Sequence, residues 1–412
     1  MPAPHQPHGN AQLRPDRLLP RDIRPDRTGA GGYLTQPVVV RAVTDSRTLK
    51  KFIDLPYRLY ERDPVWVPPL RRDVQLLLSR EKNPFFEHAE AEYFLAERGS
   101  EVVGRIAAIH NRLHNETHED SVGFFGFFES INDQAVADAL LSRAAEWCRT
   151  RGLDVLRGPA SFSTNDECGL LVDGFDKPPT IMTPHNGPDY IGLLERAGFS
   201  KAKDLLMYEG GSMQAFVTPP ERLGRAVNIA LQRAGVTLRP LNTKDFKEEV
   251  EKVKELYNAC WEKNWGFIPM TDHEIDHLAV QFKPVVVPDQ VVFAMKDGKP
   301  IGFALALPDF NVVFQKNRQG RMFPVVLKLL WALKRKTIRR ARVLLLGVLP
   351  EFRGKGIDSA LYHWIWTKSG DHGMYWAEGG WVLEDNPAIR LGLEKMTFKH
   401  YKTYRLYDRS IG

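Results

Sequence analysis

Two successive copies of a mixed α/β sheet are the architecture this sequence predicts, on three observations. Runs rich in β-formers alternate with amphipathic helices, the order of these elements repeats in the two halves, and landmark residues recur at matched spacing. A chain of 412 residues exceeds one ordinary core and suits two of roughly 150 to 200 residues each. With 43% hydrophobic and 26% charged residues, the composition is that of a globular protein, not a disordered or fibrous one.

Residues 1–37 mix Pro, Arg, Gly and His without hydrophobic periodicity, so a disordered tail is expected there. The first copy opens on a β-branched run at 38–43. Segments 92–97 and 102–109 read as a hairpin turned at Arg98, Gly99 and Ser100, and 122–128 as a further strand. A helix over 133–150 places Val136, Leu140, Ala144, Trp147 and Cys148 on one face and stops at Gly152. A strand at 154–156 follows. After a long polar insert (163–186, with Asn165, Asp166, Glu167, Asp173, Asp176, His185 and Asn186), a helix ends at Ala197 with Gly198 placed for a left-handed cap.

The second half repeats this order: a strand at 236–239, helices over 246–261 and 273–282, and a hairpin of 290–295 with 301–307 across Asp297 and Gly298. Ala139 and Leu140 correspond to Ala360 and Leu361, and Gly152 and Gly158 then fall in step with Gly373 and Gly379. Glu195, Arg196 and Phe199 match Glu394, Lys395 and Phe398, with Tyr208 and Tyr407 each nine residues beyond the Phe. The copies are therefore expected at 38–212 and 213–412, joined between Gly210 and Pro220.

The longest apolar stretch, 322–333, is broken by Lys328 and falls well short of the roughly 20 residues needed to span a bilayer. No secretory signal is apparent, and Cys148, Cys168 and Cys260 make no disulfide framework, so a cytoplasmic, reducing setting is expected. A net charge of +6 does not by itself choose among nucleic acid, membrane and anionic cofactor.

The chemistry is concentrated after the strand at 342–348. Pro350 and Glu351 begin a loop, and Arg353, Gly354, Lys355 and Gly356 open a helix running from Ile357 through Lys368. Glycines let a ligand approach the backbone, the unpaired N–H groups of a first helical turn point at it, and the helix dipole favours negative charge there. Lys355 adds a point charge. An NTPase P-loop is excluded, because Leu349 stands where its first glycine is required and no Ser or Thr follows Lys355.

The segment from Val348 to Leu361 resembles the acyl-CoA pyrophosphate loop of the GNAT acetyltransferase superfamily (Gln or Arg, two residues, Gly, one residue, Gly or Ala), with Arg353 and Gly356 on the first two positions. Asn386 through Phe398 is similar to a later family segment, an Asn followed by a helix and a closing Glu-Lys phrase. The resemblance implies two tandem GNAT-like domains, the second binding acetyl-CoA or a longer acyl-CoA through Val348, Arg353, Gly354, Lys355, Gly356, Ile357, Asp358, Ser359 and Asn386, with no metal. It implies acyl transfer to a small-molecule or protein amine by direct attack on the thioester; the alternative is a non-catalytic acyl-CoA sensor or scaffold. Two positions depart from the family: Asp358 replaces its last Gly or Ala, and Leu393 stands where many members carry a Tyr acid. Glu378 is the candidate base and Tyr404 (or Tyr401) a candidate acid, with Trp381 and Glu384 on the substrate side. The first copy has Glu129 to Asp133 in place of the glycine loop and is expected to be degenerate, a scaffold or a wall of the substrate cleft.

Two further motifs are weighed. His273, Glu274 and His277 spell HExxH, but Thr271 with Glu274 reads as a capping box, which places the motif in an exposed first helical turn. Between Lys316 and Arg342 lie many Lys and Arg and no Asp or Glu, and an amphipathic helix is expected there. Its readings are a solvated surface, a contact for an anionic membrane surface or an acidic carrier protein, or a contact for the CoA 3′-phosphate. No nucleic-acid-binding signature accompanies it.

Overall fold

The computed structural model describes residues 36–412 apart from Lys263, so the tail expected over 1–37 lies almost wholly outside the described residues. The first half runs β1 (Val38–Ala42), α1 (Ser46–Leu59), α2 (Arg71–Leu77), β2 (Ala89–Arg98), β3 (Glu101–Asn111), α3 (Arg112–His118), β4 (Val122–Ser130), α4 (Gln134–Arg149), β5 (Val155–Gly158), β6 (Ala160–Ser161), β7 (Glu167–Cys168), β8 (Leu170–Asp173), α5 (Asp189–Arg196) and β9 (Ser200–Gly211). The second runs α6 (Glu221–Ala234), β10 (Thr237–Pro240), α7 (Phe246–Trp261), α8 (Asp272–Phe282), β11 (Val291–Lys296), β12 (Lys299–Pro308), α9 (Asn311–Phe314), α10 (Val325–Lys334), β13 (Arg340–Val348), α11 (Ile357–Asp371), β14 (Trp376–Leu383), α12 (Pro387–Lys395) and β15 (Lys399–Ser410).

Local signals act where they were read. Asp133 caps α4 through the N–H of Ala135, and Gly152 and Gly198 take left-handed backbone after their helices. Asp297 and Gly298 both have positive φ, as the tight turn between β11 and β12 requires. Thr271 and Glu274 form the capping box of α8. Helices α1, α2, α3 and α6 were not anticipated. α1 carries Pro56 in its interior, α2 and α3 are a bare two turns, and α6, though amphipathic, buries only Val227 fully.

Thirteen strands make one sheet, ordered β1-β2-β3-β4-β5-β15-β9-β14-β13-β12-β11-β10, with β8 added onto β15. The closing strands of the two halves are exchanged: β15, the last of the second half, lies against β5, while β9, the last of the first, lies against β14. The repeat read in the sequence becomes a pairing rule here. Tyr407 sits opposite Gly158, and Tyr208 opposite Gly379. The first-half core accordingly includes Tyr404 and Leu406 from β15. Second-half residues pack on both faces, Val292, Leu361 and Ile365 on one and Leu256, Phe293 and Phe303 on the other. The segment joining the halves is the link from β9 to α6, and the sheet runs through the join.

Each half contains one parallel pair that opens into a wedge. β13 and β14 pair only from Arg340 with Trp376 to Val343 with Gly379, and β4 and β5 only from Val122 with Val155 to Phe124 with Arg157. Beyond those residues the strands diverge. In the first half the wedge is filled: a Cβ on Gly126 would lie 2.0 Å from the carbonyl oxygen of Ala160, and the Phe127 N–H donates to Ser161 Oγ at 3.0 Å. The hairpin β6–β7 therefore occupies the slot that the second half keeps open.

Candidate active site

At the mouth of the open wedge, Gly354 and Gly356 both take left-handed backbone (φ 71° and 78°), and Gly356 caps α11 with no side chain satisfying the first-turn N–H groups. A Cβ on Gly354 would meet nothing within 4 Å, so this turn is open to solvent. Uncapped N–H groups at the positive end of a long helix suit a pyrophosphate. The equivalent end of α4 is closed by Asp133, and Glu129 before it is buried, accepting from the Tyr60 and Tyr190 hydroxyls at 2.7 and 2.8 Å. The first half thus has no free helix end to offer.

The named loop residues play distinct parts. Arg353 turns its guanidinium onto protein, Nε to the Val348 carbonyl at 3.1 Å and Nη2 to that of Cys260 at 2.7 Å, so it braces the loop and leaves charge to Lys355. Lys355 is exposed, with Nζ donating to the Glu351 carbonyl at 3.0 Å. Val348 and Ile357 are buried beneath the loop, and Ser359 is half-buried. Asp358 is exposed in the first turn and does not cap the helix. Asn386 spends its side chain on capping α12, accepting from the Ile389 N–H at 3.2 Å. Leu393 is buried against Tyr208 and Val382.

On the opposite face of the sheet, α7, α8 and strands β11 to β13 enclose a cavity of about 190 Å³. A single water needs roughly 10–15 Å³ on this measure, so the space is far larger than a packing defect. Its walls are mostly apolar, Val250, Val253, Leu278, Phe282 and Val286 among them, with Glu249 and Lys283 also reaching it, and its polar part is formed by Thr164, Asn165, Asp166 and Arg342 beside Trp381. Leu344 and Leu345, from the diverging part of β13, also line it, so wedge and cavity communicate.

Most of the polar part is delivered by the first half. In the hairpin that plugs its own wedge, Ala160 pairs with Cys168 and Ser161 with Glu167, which projects residues 162–166 toward the second half. Thr164 Oγ1 donates to the Gly266 carbonyl at 2.7 Å, Asn165 Nδ2 to that of Ile268 at 3.1 Å, and the Tyr257 hydroxyl to Asn165 Oδ1 at 2.9 Å. Those bonds staple the tip to the α7–α8 connection. The Asp166 carboxyl, held by the Ser163 hydroxyl at 3.0 Å, is pushed up to about 6 by loss of water. Glu167 keeps accessible surface; the protein crowded around it and the neighbouring Asp166 push it up to about 7, against the opposing pull of Arg342 and Arg105.

Arg342 is 1% exposed, donates to the Ile181 carbonyl, and stands with Nε 3.5 Å from Glu378 Oε1 and no hydrogen bond from that nitrogen among the described residues. Glu378, also 1% exposed, is enclosed by Arg342, the Thr180 hydroxyl at 2.5 Å and the Tyr401 hydroxyl, and does not line the cavity. Its place is behind Arg342. Tyr404, the candidate acid, is packed in the first-half core with its hydroxyl donating to the Pro184 carbonyl at 3.2 Å. Trp381 does line the cavity, its ring 5.4 Å from that of Tyr404. Glu384 lies apart, held by Lys201 at 2.5 Å and the Asp204 N–H at 3.0 Å. Of the expected substrate-side residues the structure brings Trp381 to the cavity, and to it adds Asp166 and Arg342, with Glu167 next to Asp166 in the chain. In HExxH, His273 pairs with Glu87 at 3.0 Å, His277 with Gln281 and Glu274 with His88, three separate contacts; no group of three or more metal-binding side chains occurs among the described residues.

A sheet with a parallel wedge, a glycine turn at an uncapped helix end and a repeat of the whole arrangement defines a tandem GNAT fold. Residues 250–391 match the acetyltransferase (GNAT) family. A tandem GNAT protein from the clavulanic acid biosynthesis pathway superposes with a TM-score of 0.54 at 14% identity, over 91% of this chain and 99% of its own. A GCN5-related N-acetyltransferase from Sphaerobacter thermophilus gives 0.50 at 13% identity, over 91% and 96%. At those identities the likeness is one of fold. The chain belongs to the GNAT acyltransferase family. Among curated relatives, it is 38% identical over 370 residues to the bacterial ceramide synthase of Caulobacter vibrioides (strain NA1000 / CB15N), covering 88% of this chain and 95% of the relative. It is 35% identical over 378 residues to protein YghO of Escherichia coli (strain K12), covering 90% and 95%.

Proposed function

We propose that this acyltransferase moves an acyl group from acyl-CoA to the amine of a long-chain amphipathic small molecule. The observation that carries the reading is the cavity: a largely apolar space suited to a hydrocarbon chain, lined also by Asp166 and Arg342, with Glu167 adjoining Asp166. The similarity to a protein named ceramide synthase supports an amine acceptor of this kind.

The family's co-substrate supplies the activated acyl thioester, and the residues of the Gly354–Ser359 turn fit its phosphates apart from Asp358. An amine reaches the site as an ammonium ion, since its pKa lies near that of Lys, roughly 10. Asp166 and Glu167 attract it, and the Arg342 guanidinium, which lines the cavity, orients a neighbouring oxygen of the acceptor. Glu167 takes the proton, because a carboxyl titrating near neutral pH is ionised often enough to act and basic enough to accept. The freed nitrogen attacks the thioester carbonyl carbon, the carbon–sulfur bond breaks, and amide and CoA thiol are the products. Water is kept from this step by the apolar walls.

Calorimetry with acetyl-CoA and palmitoyl-CoA, followed by assay of CoA release with sphinganine and with ethanolamine, tests the reading. Binding of an acyl-CoA and release of CoA with the long-chain amine alone are expected. Absence of acyl-CoA binding to the folded protein overturns it, and binding without release for any amine makes the protein an acyl-CoA sensor instead.

A further inference from the structure

The connection between β12 and β13 carries an outward-facing surface that the acyl-transfer chemistry does not use. Phe323, Leu327, Leu330 and Trp331 are 70%, 54%, 45% and 58% exposed. Leu330 and Trp331 lie three and four residues beyond Leu327, so these three form one stripe of α10, with Phe323 just before its start. The inner stripe, Leu329 and Ala332, packs with Ile338 on Phe310, Val313 and Val285, so α10 is anchored and its outer stripe is left uncovered. Lys328, Lys334, Arg335 and Lys336 are exposed around that stripe, and residues 311–350 contain no Asp or Glu to offset them.

The surface also adjoins the cavity. Phe282, Lys283 and Val286 line the cavity, and Val285 between them packs in the α10 cluster. The insert is fixed to the first half as well: Arg318 donates to the carbonyls of Tyr60, Asp63 and Trp66, and the Arg71 side chain to that of Gln319. α10 is thus held at a set position relative to both halves.

We infer that α10 is a bilayer-docking face that lies in the interface of an anionic membrane, with Phe323, Leu327, Leu330 and Trp331 entering the acyl boundary and the surrounding Lys and Arg resting on headgroup phosphates. A single convex apolar stripe with a cationic rim is the form that interfacial helices take, whereas a helix-binding protein partner needs a groove. Trp331 has the amphipathic ring favoured at headgroup depth. The proximity of the cavity gives this surface a use that rests on the proposed long-chain acceptor, but the docking itself does not depend on it. No helix of the described residues is long and apolar enough to cross a membrane, so attachment would be to one leaflet.

Vesicle flotation of the full chain tests this without any activity measurement. Phosphatidylcholine vesicles are compared with vesicles containing phosphatidylglycerol, using the wild type, Leu327→Glu/Trp331→Glu and Lys328→Gln/Lys334→Gln. All four substituted side chains are exposed, so folding, checked by circular dichroism, should be unchanged. The wild type is expected to float with the anionic vesicles only. The acidic pair of substitutions should abolish this, and the Gln pair should weaken it on the order of twentyfold, from about fivefold per surface cation. Failure of the wild type to float with anionic vesicles overturns the inference, as does equal flotation of the Leu327→Glu/Trp331→Glu variant. Retention on an acidic carrier protein with no flotation would assign the face to that carrier.

Discussion

Glu167 shows how far one side chain's meaning depends on its surroundings. Its neighbours in sequence, Asn165, Asp166 and Cys168, identify a polar insert and no more, and the acids were legible only as members of that insert. The structure sets the carboxyl among Asp166, Arg342 and Arg105, and it is pushed up to about 7. A base must be deprotonated to act, so kcat/KM should climb with pH and level off above about 7. Glu167→Gln should lower kcat by about 10²–10⁴-fold and remove that acid limb, while leaving acyl-CoA affinity unchanged by calorimetry. The same shift has a stability consequence of opposite sense. A carboxyl whose folded pKa is raised binds its proton more tightly in the folded state, so folding loses stability as pH rises from the ordinary Glu value to about 7. Glu167→Gln should therefore raise Tm at pH 8 and not at pH 4; an unchanged Tm at both would mean the carboxyl is not desolvated. Glu378, by contrast, read in sequence as an acid among tryptophans, is committed to Thr180, Tyr401 and Arg342.

The decisive element is the turn into α11. Its glycines, its following helix and the strand before it were all visible in sequence, because a phosphate cradle needs particular backbone geometry and that geometry needs Gly. What sequence could not supply was the direction of the side chains around it: Arg353 faces protein carbonyls and Asp358 faces solvent. An uncompensated carboxylate at the positive end of this helix favours the free protein and opposes an anionic ligand. An exposed charge in a first turn is worth about 0.3–1 kcal/mol, so Asp358→Ala should tighten acyl-CoA binding by about two- to fivefold at low salt. Calorimetry at two ionic strengths checks this, since the gain should shrink as salt screens the charge.

The whole molecule is built so that neither half is complete without the other. β15 satisfies β5 and closes the first-half core with Tyr404 and Leu406, and β9 satisfies β14. Separate expression of 38–212 and 213–412 should therefore give two poorly folded fragments, and coexpression should restore a single folded complex with a cooperative thermal transition. Independent folding of either fragment would contradict the exchange. The same arrangement explains the degenerate copy: its wedge is filled by β6–β7, and the loop of that hairpin brings Asp166 to the other half's cavity.

The sequence alone determined what depends on local order: the alternation of strands and helices, the caps and turns, the repeat, and the glycine turn with its helix, which carried the family resemblance. Strand exchange, the plugged wedge, the apolar cavity and the assembly of its polar part were decided only in the tertiary structure. They join residues more than a hundred positions apart, such as Asn165 with Ile268 and Gly158 with Tyr407. Periodicity reports which face of an element is buried, but not which distant element buries it. Two strands with the same closing pattern, β9 and β15, can pair within their own halves or across them, and only the folded sheet distinguishes the two.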